Sequence, residues 1–199
     1  MEKQTTDNLT KKERNELKKK EKQTAHKKSI NIKKIKMVLT WTTVLLVIVA
    51  LIYWSVIAAK KSEETRPGEQ TTTAGSDHIN VGDEHDPYVT NPPTSGAHGS
   101  PVNFSVYQEE LLDENVVHNL EHGGIWISYK NLGQEDVGKL EDIGRKYSGR
   151  TVVSPRSAND SNVVVASWGR ILELEEVDVE KITEYVKKNF NRSPEPLSR

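Results

Sequence analysis

The chain has 199 residues, 34% of them hydrophobic, no cysteine and a formal net charge of −1. That length suits one modest domain with appendages. Without cysteine there is no disulfide, thiolate metal site or cysteine nucleophile, so a bound metal would rest on His, Asp, Glu or main-chain oxygen. The near-neutral total hides an asymmetry: residues 1–36 carry a net +8 and residues 60–199 a net −9. Each part is therefore read separately.

Residues 1–30, most of the basic tail of residues 1–36, are Lys, Glu, Asn, Gln and Thr with almost no large apolar side chain. Glu–Lys pairs there favour transient helix, but with no apolar face to pack the segment is expected to be a disordered, basic cytoplasmic tail. Met37 to Ala59 is then 23 residues without a charge. As a helix it is roughly 35 Å long, enough to cross a hydrocarbon core of roughly 30 Å. Trp41 near one end and Tyr53 and Trp54 near the other suit interfacial anchors. A cleaved signal peptide competes with this reading, but the run is long for one and starts late. The basic excess before the segment places the N-terminus in the cytoplasm and the rest outside, in a cell-membrane protein of one span. Residues 60–83 are polar, with one proline, and read as a flexible linker.

Residues 84–115 look irregular but ordered. Asn91-Pro92-Pro93-Thr94-Ser95-Gly96 is neither regular helix nor central strand, because its prolines lack a donor and fix φ. His85 precedes this loop and His98 follows it. Next, Val116 to Gly124 places His118, Glu121 and His122 at i, i+3 and i+4, one face of a helix. Val117 and Leu120 lie off that face and are expected to pack inward. Gly123 and Gly124 end the helix, since glycine takes the left-handed position past a helix end.

A strand follows at residues 125–129. The spacing of Val137, Leu140, Ile143 and Tyr147 predicts a helix over residues 135–147, broken in quality by Gly138 and Gly144. Thr151 to Ser154 is a short strand stopped by Pro155. Val163 to Trp168 is a strand whose unbroken apolar run suggests a central place. Ile171 to Leu174 is a fourth strand or an extended lead-in. Asp178 is the expected N-cap of a last helix with Val179, Ile182, Val186 and Phe190 as its buried stripe. The order implies an α+β domain over residues 84–197: a small mixed sheet packed with two or three helices and preceded by one transmembrane helix. Residues 125–154 form a right-handed parallel crossover if both strands share one sheet.

Four segments together resemble the bacterial family called domain of unknown function 3105. They are His85-Asp86-Pro87-Tyr88, Pro92-Pro93-Thr94-Ser95-Gly96-Ala97-His98, Val117-His118-Asn119-Leu120-Glu121-His122-Gly123 and Trp168-Gly169-Arg170. The late Pro194-Glu195-Pro196 is in keeping. The resemblance covers roughly residues 78–197 and implies a membrane-tethered extracytoplasmic domain; it brings no established activity. Gly99 departs from it, where a bulkier residue is expected.

Three readings of the histidines stand side by side. In the first, His118 and His122 chelate a metal as an i, i+4 pair, with His98, His85 or Glu121 completing the shell; imidazole suits zinc, copper or nickel. In the second, Glu121 and the histidines form a metal-free hydrogen-bond network that pins the proline-rich loop to the helix. The third is a metal-dependent hydrolase using His118 and His122, with Glu121 as general base, since His118-x-x-Glu121-His122 matches the inverted zincin motif. That match is short, and Gly123 ends the helix close behind it. Ser95 on its turn reads as a turn residue rather than a nucleophile. Phosphate-binding and nucleophile-elbow motifs are absent, and the acidic domain argues against nucleic-acid binding. The sequence thus leads to a binding or scaffold module of the cell envelope, in contact with the lipid bilayer, with an envelope protein as the expected partner.

Overall fold

The computed structural model describes residues 11–197 and divides into two units, Met1–Glu63 and Glu64–Arg199. The first contains helix α1, Lys11–Glu64, 54 residues long and with no buried residue. Its apolar stretch is long enough to cross a membrane. Residues 11–36, expected to be disordered, are helical here, and residues 1–10 of that tail lie outside the described residues. Two physical reasons account for the difference. Lys, Glu, Gln and Arg are good helix formers, and a helix already nucleated by its apolar run extends without paying for a second nucleus.

The second unit is built on one five-stranded sheet of order β1-β5-β4-β2-β3. Its strands are β1 (Glu69–Gln70), β2 (Ile125–Tyr129), β3 (Thr151–Pro155), β4 (Val163–Ser167) and β5 (Arg170–Leu174). β2 and β3 run parallel and every other pair is antiparallel, with Ile127 facing Val153 on one side and Val165 on the other. The α+β class and the parallel crossover are as the sequence implies. The crossover helix is α3, Gln134–Lys146. The apolar run of β4 does lie at the middle of the sheet, and Ile171 to Leu174 is a strand.

Alternation along β2 sorts the core into two layers. Ile125, Ile127 and Tyr129 join Val153, Val163 and Val165 under α3 and under α4, Val179–Asn189. Trp126 points the other way, with Val152 and Ala166, against Val116 and Leu120 of α2, Asp113–Glu121. Phe104, Tyr107 and Leu111 of the irregular segment pack there too. One sheet face is thus covered by two helices and the other by α2 and a loop-rich layer. Asp178 caps α4 through its side chain, which accepts from Lys181 N at 3.0 Å. Its stripe differs from expectation in one place: Val179 is exposed and Tyr185 is buried instead. Val179 is exposed in the first turn of α4, whereas Tyr185 reaches Ser167 Oγ at 2.9 Å.

The ordered chain of this unit starts earlier than residue 84. Glu69 and Gln70 pair with Ile171 and Arg170 along the sheet edge. Their side chains are exposed, so the pairing is made by main-chain groups alone. An apolar pattern cannot signal such a strand.

Two ties hold the irregular layer to α2. Arg156 donates from Nε and Nη2 to both carboxylate oxygens of Asp113, at 2.8 and 2.7 Å, and from Nη1 to Asn91 Oδ1 at 2.5 Å. Asn119 brackets the main chain of Val102: its Oδ1 accepts from Val102 N at 3.0 Å and its Nδ2 donates to Val102 O at 2.9 Å.

The two glycines that weaken the α3 pattern have different roles. A Cβ on Gly144 would meet Val153 Cγ2 at 2.7 Å and Val106 Cγ2 at 2.8 Å, whereas one on Gly138 would meet nothing within 4 Å. Gly144 lets the helix approach β3 closely. Gly138→Ala should therefore stabilise the domain by about 0.5–1 kcal/mol through helix propensity. Gly144→Ala should destabilise it by about 1–3 kcal/mol through overpacking. Chemical denaturation of both variants checks this pair, and equal effects would contradict it.

Candidate metal centre

Helix α2 ends in a glycine-stabilised turn. Gly123 has φ +85°, its N–H donates to Leu120 O at 2.9 Å, and Gly124 N–H donates to Asn119 O at 2.8 Å. This Schellman pair closes the helix at His122 and turns the chain straight into β2. Val117 and Leu120 are fully buried, as their positions predict. The face bearing His118, Glu121 and His122 meets the loop that carries His98. Gly99 N–H ties that loop to the helix by donating to Glu114 O at 3.1 Å.

The histidines of this corner share one arrangement. His98 Nδ1 lies 2.8 Å from Gly96 O, His118 Nδ1 2.5 Å from Gly99 O, and His122 Nδ1 3.2 Å from Glu195 O. A carbonyl oxygen can only accept, so each Nδ1 carries the proton, an assignment made from its partner. In its neutral form each ring then presents the Nε2 lone pair. Those atoms face inward: His118 Nε2 and His122 Nε2 are 3.0 Å apart, and His98 Nε2 is 2.9 Å from Glu121 Oε2. The ligand atoms of His78, His98 and His118 all lie within 4.8 Å of one another.

Burial makes this arrangement costly unless something sits between the lone pairs. His98 is fully buried and Glu121 is 2% exposed. Despite their short separation, His98 Nε2 and Glu121 Oε2 lack a hydrogen-bond partner of acceptable geometry among the described residues. An imidazolium–carboxylate hydrogen bond would aim its N–H at the oxygen, and this contact does not. His118 Nε2 and His122 Nε2 are hydrogen-bonded at 3.0 Å, so without a metal one of the two carries a proton at the point a cation would take. Burial, opposed by the Gly99 carbonyl and joined by the neighbouring His98, His122 and His78, holds the His118 pKa below its usual value of 6.5. The ring is thus biased toward the neutral form that a metal requires.

Of the five residues named from sequence, the structure places His98 and His118 in one cluster with His78, and Glu121 and His122 in a second, the two clusters touching at His98–Glu121 and His118–His122. It does not bring in His85, whose Nδ1 lies 2.7 Å from Asp86 O and whose ring stands against Tyr88. His85 lies in neither cluster of potential ligands among the described residues. His78 was missed. Its ring centroid is 4.5 Å from that of His98 and 5.2 Å from that of His118, and its Nε2 is 3.9 Å from Glu121 Oε2. Nothing local in Ser76-Asp77-His78-Ile79 marks it; a parallel bridge between His78 and His98 brings it in. Glu195 forms a second cluster with Glu121 and His122. Its main-chain oxygen faces His122 Nδ1, so it orients that ring from behind, as outer groups orient metal-bound imidazoles.

Two expectations about the rim are settled by packing. Ser95 Oγ accepts from Ala74 N at 2.9 Å and the residue is buried, which suits a turn residue. At Gly99 a side chain would collide with Val81, so the small residue matches the chain that crosses above it.

The pH dependence of the metal-free domain follows from His118. Its folded pKa is lowered, so the unfolded chain takes up the proton first and stability falls as pH drops through about 6.5. In chelator, the denaturation midpoint should hold steady from about pH 8 to 7 and decline below about 6.5. His118→Gln should reduce that decline, and a midpoint that rises on acidification would contradict the assignment.

The family described as "Protein of unknown function (DUF3105)" matches residues 81–199. No curated protein and no solved structure matches the chain. The match takes in the proline-rich loop, all of α2 and the sheet except β1, and on it the chain belongs to the family of proteins of unknown function DUF3105.

Proposed function

We propose that this protein is a membrane-anchored module that holds a transition-metal dication in the corner between α2 and the proline-rich loop. The observation that carries the reading is three imidazoles with Nδ1 on main-chain carbonyls, of which His118 and His122 meet through Nε2 and His98 sets its Nε2 against the buried Glu121 carboxylate. Metal-bound histidines are oriented in this way, with the far nitrogen donating to a carbonyl. His98, His118, His122 and Glu121 are the proposed ligands and His78 an added one. Imidazole with a single carboxylate suits zinc, copper or nickel and disfavours magnesium and calcium, which prefer oxygen. The apolar stretch of α1 supports a membrane anchor, and the basic residues before it support a cytoplasmic N-terminus with the metal site outside.

Holding the ion is favoured over hydrolysis. Glu121, the general base of the hydrolase reading, is buried 2.9 Å from His98 Nε2, which supports a ligand role. A base in an inverted zincin instead stands free beside the attacking water.

Calorimetric titration of the full chain in detergent with zinc or copper tests the site. One ion per chain should bind near pH 7.5 and weaken as pH falls toward 5, where protons compete for the rings. Metal at about 100 times its Kd should stabilise the fold by about 2.7 kcal/mol. His98→Ala and His118→Ala should abolish both effects, and His85→Ala should leave them unchanged. Wild-type chain that takes up no zinc, copper or nickel, with an unshifted denaturation midpoint, would leave the metal-free hydrogen-bond network as the account of this corner. Topology is tested separately by protease added to intact bacterial protoplasts. Residues 64–199 should be digested and residues 11–36 spared; protection of the larger part would reverse the orientation.

A further inference from the structure

Residues 66–80 lead from the edge of β5 to the site in two stretches that are held very differently. Residues 66–70 are tied by side chains. Arg170 Nη1 donates to Gly68 O at 2.6 Å and Asn189 Nδ2 donates to Pro67 O at 3.2 Å. Arg66 Nε donates to Asn189 Oδ1 at 2.9 Å. A Cβ on Gly68 would lie 2.7 Å from Ile171 O, so the chain is pressed onto β5 there. Residues 71–80 are held mostly by single hydrogen bonds spread along the stretch: Thr71 N to Gly169 O, Thr71 Oγ1 with Thr94 Oγ1, Ala74 N to Ser95 Oγ, Gly96 N to Gly75 O, His98 N to Asp77 O and Ile79 N to His98 O. Residues 72–78 are all exposed, and Gly75 sits at φ +85° with nothing near its missing side chain. A segment held by scattered hydrogen bonds, with only Thr71 and Ile79 partly buried, belongs to the low-stability end of a fold.

The ligand set is graded in the same direction. His98 and Glu121 are sealed beneath this stretch, at 0% and 2% exposure, whereas the His78 side chain is 60% exposed. Gly96 and His98, whose carbonyl and ring form the back of the site, are the residues to which the stretch is bonded. Opening residues 71–80 therefore uncovers the buried ligands, and a bond from His78 to the ion closes the stretch over them.

We propose that residues 71–80 are a metal-fastened strap: an ion held by His98, His118, His122 and Glu121 recruits His78 and locks the strap, which in the metal-free chain opens to let the ion in and out. This rests on the metal reading above and adds the regulation of that site. Occupancy of the site becomes order in the segment that follows α1 in the chain.

Hydrogen exchange of the full chain in detergent, in chelator and then with zinc chloride, tests the strap. Zinc should slow exchange in peptides covering residues 71–80 by about ten-fold, while residues 66–70 change little. His78→Ala should still bind zinc, roughly ten-fold more weakly. It should release zinc to chelator faster than wild type, and zinc should no longer slow its strap. Wild-type chain that binds zinc with unchanged strap exchange, or slowing that persists in His78→Ala, overturns the strap and leaves the metal site standing. Wild-type chain that binds no zinc overturns both.

Discussion

The corner depends on main-chain carbonyls that accept hydrogen bonds from imidazole N–H groups. Gly96 O and Gly99 O belong to a loop that cannot satisfy its polar groups through regular secondary structure, because Pro92 and Pro93 remove donors. The rings of His98 and His118 supply the missing partners. The same bonds determine which nitrogen of each ring is protonated, and so which nitrogen faces the interior. Loop order and ligand presentation are two results of one set of contacts. The rest of the domain keeps that loop beside α2: the paired contact of Arg156 with Asp113, its bond to Asn91, and the bracket of Asn119 on Val102.

The sheet contributes by geometry rather than chemistry. β2 follows α2 after only two glycines beyond the helix cap, and its alternation sends Trp126 under α2 and Ile125 and Ile127 under α3 and α4. A helix whose Val116 and Leu120 are buried against a central strand cannot rotate to let His118 turn away. The histidine face is directed at the loop because the opposite face is committed to the core.

Elements with a strong apolar period were legible in the sequence. β4 and its central place, the α3 crossover and the Asp178 cap were all visible as patterns, as were His118, Glu121 and His122 on one helix face. Contacts made by the main chain were not. β1 has no apolar residue, so residues 69–70 read as linker although they pair with β5. His78 stands in a polar stretch and reaches the site through a bridge to His98, some twenty residues away. His85, beside the proline-rich loop, looked equivalent to His98 by position, but its ring is used locally against Tyr88. Val179 had the right spacing for the buried stripe of α4 yet is exposed in the first turn of that helix. Spacing shows which side chains share an element face; it cannot show which distant main-chain carbonyl a ring will find.

The protonation pattern of the rings carries the whole account and is open to direct observation. Long-range proton–nitrogen correlation spectra of the metal-free chain, with the imidazoles labelled and held near pH 8, identify the tautomer of each histidine. His98 and His118 are predicted to carry their proton on Nδ1, with His98 Nε2 turned to the Glu121 carboxylate and His118 Nε2 accepting from His122 at their 3.0 Å contact until a metal replaces that proton. If His98 or His118 is instead protonated at Nε2, or doubly protonated at that pH, the lone pairs are not there to be shared and the site as described does not exist.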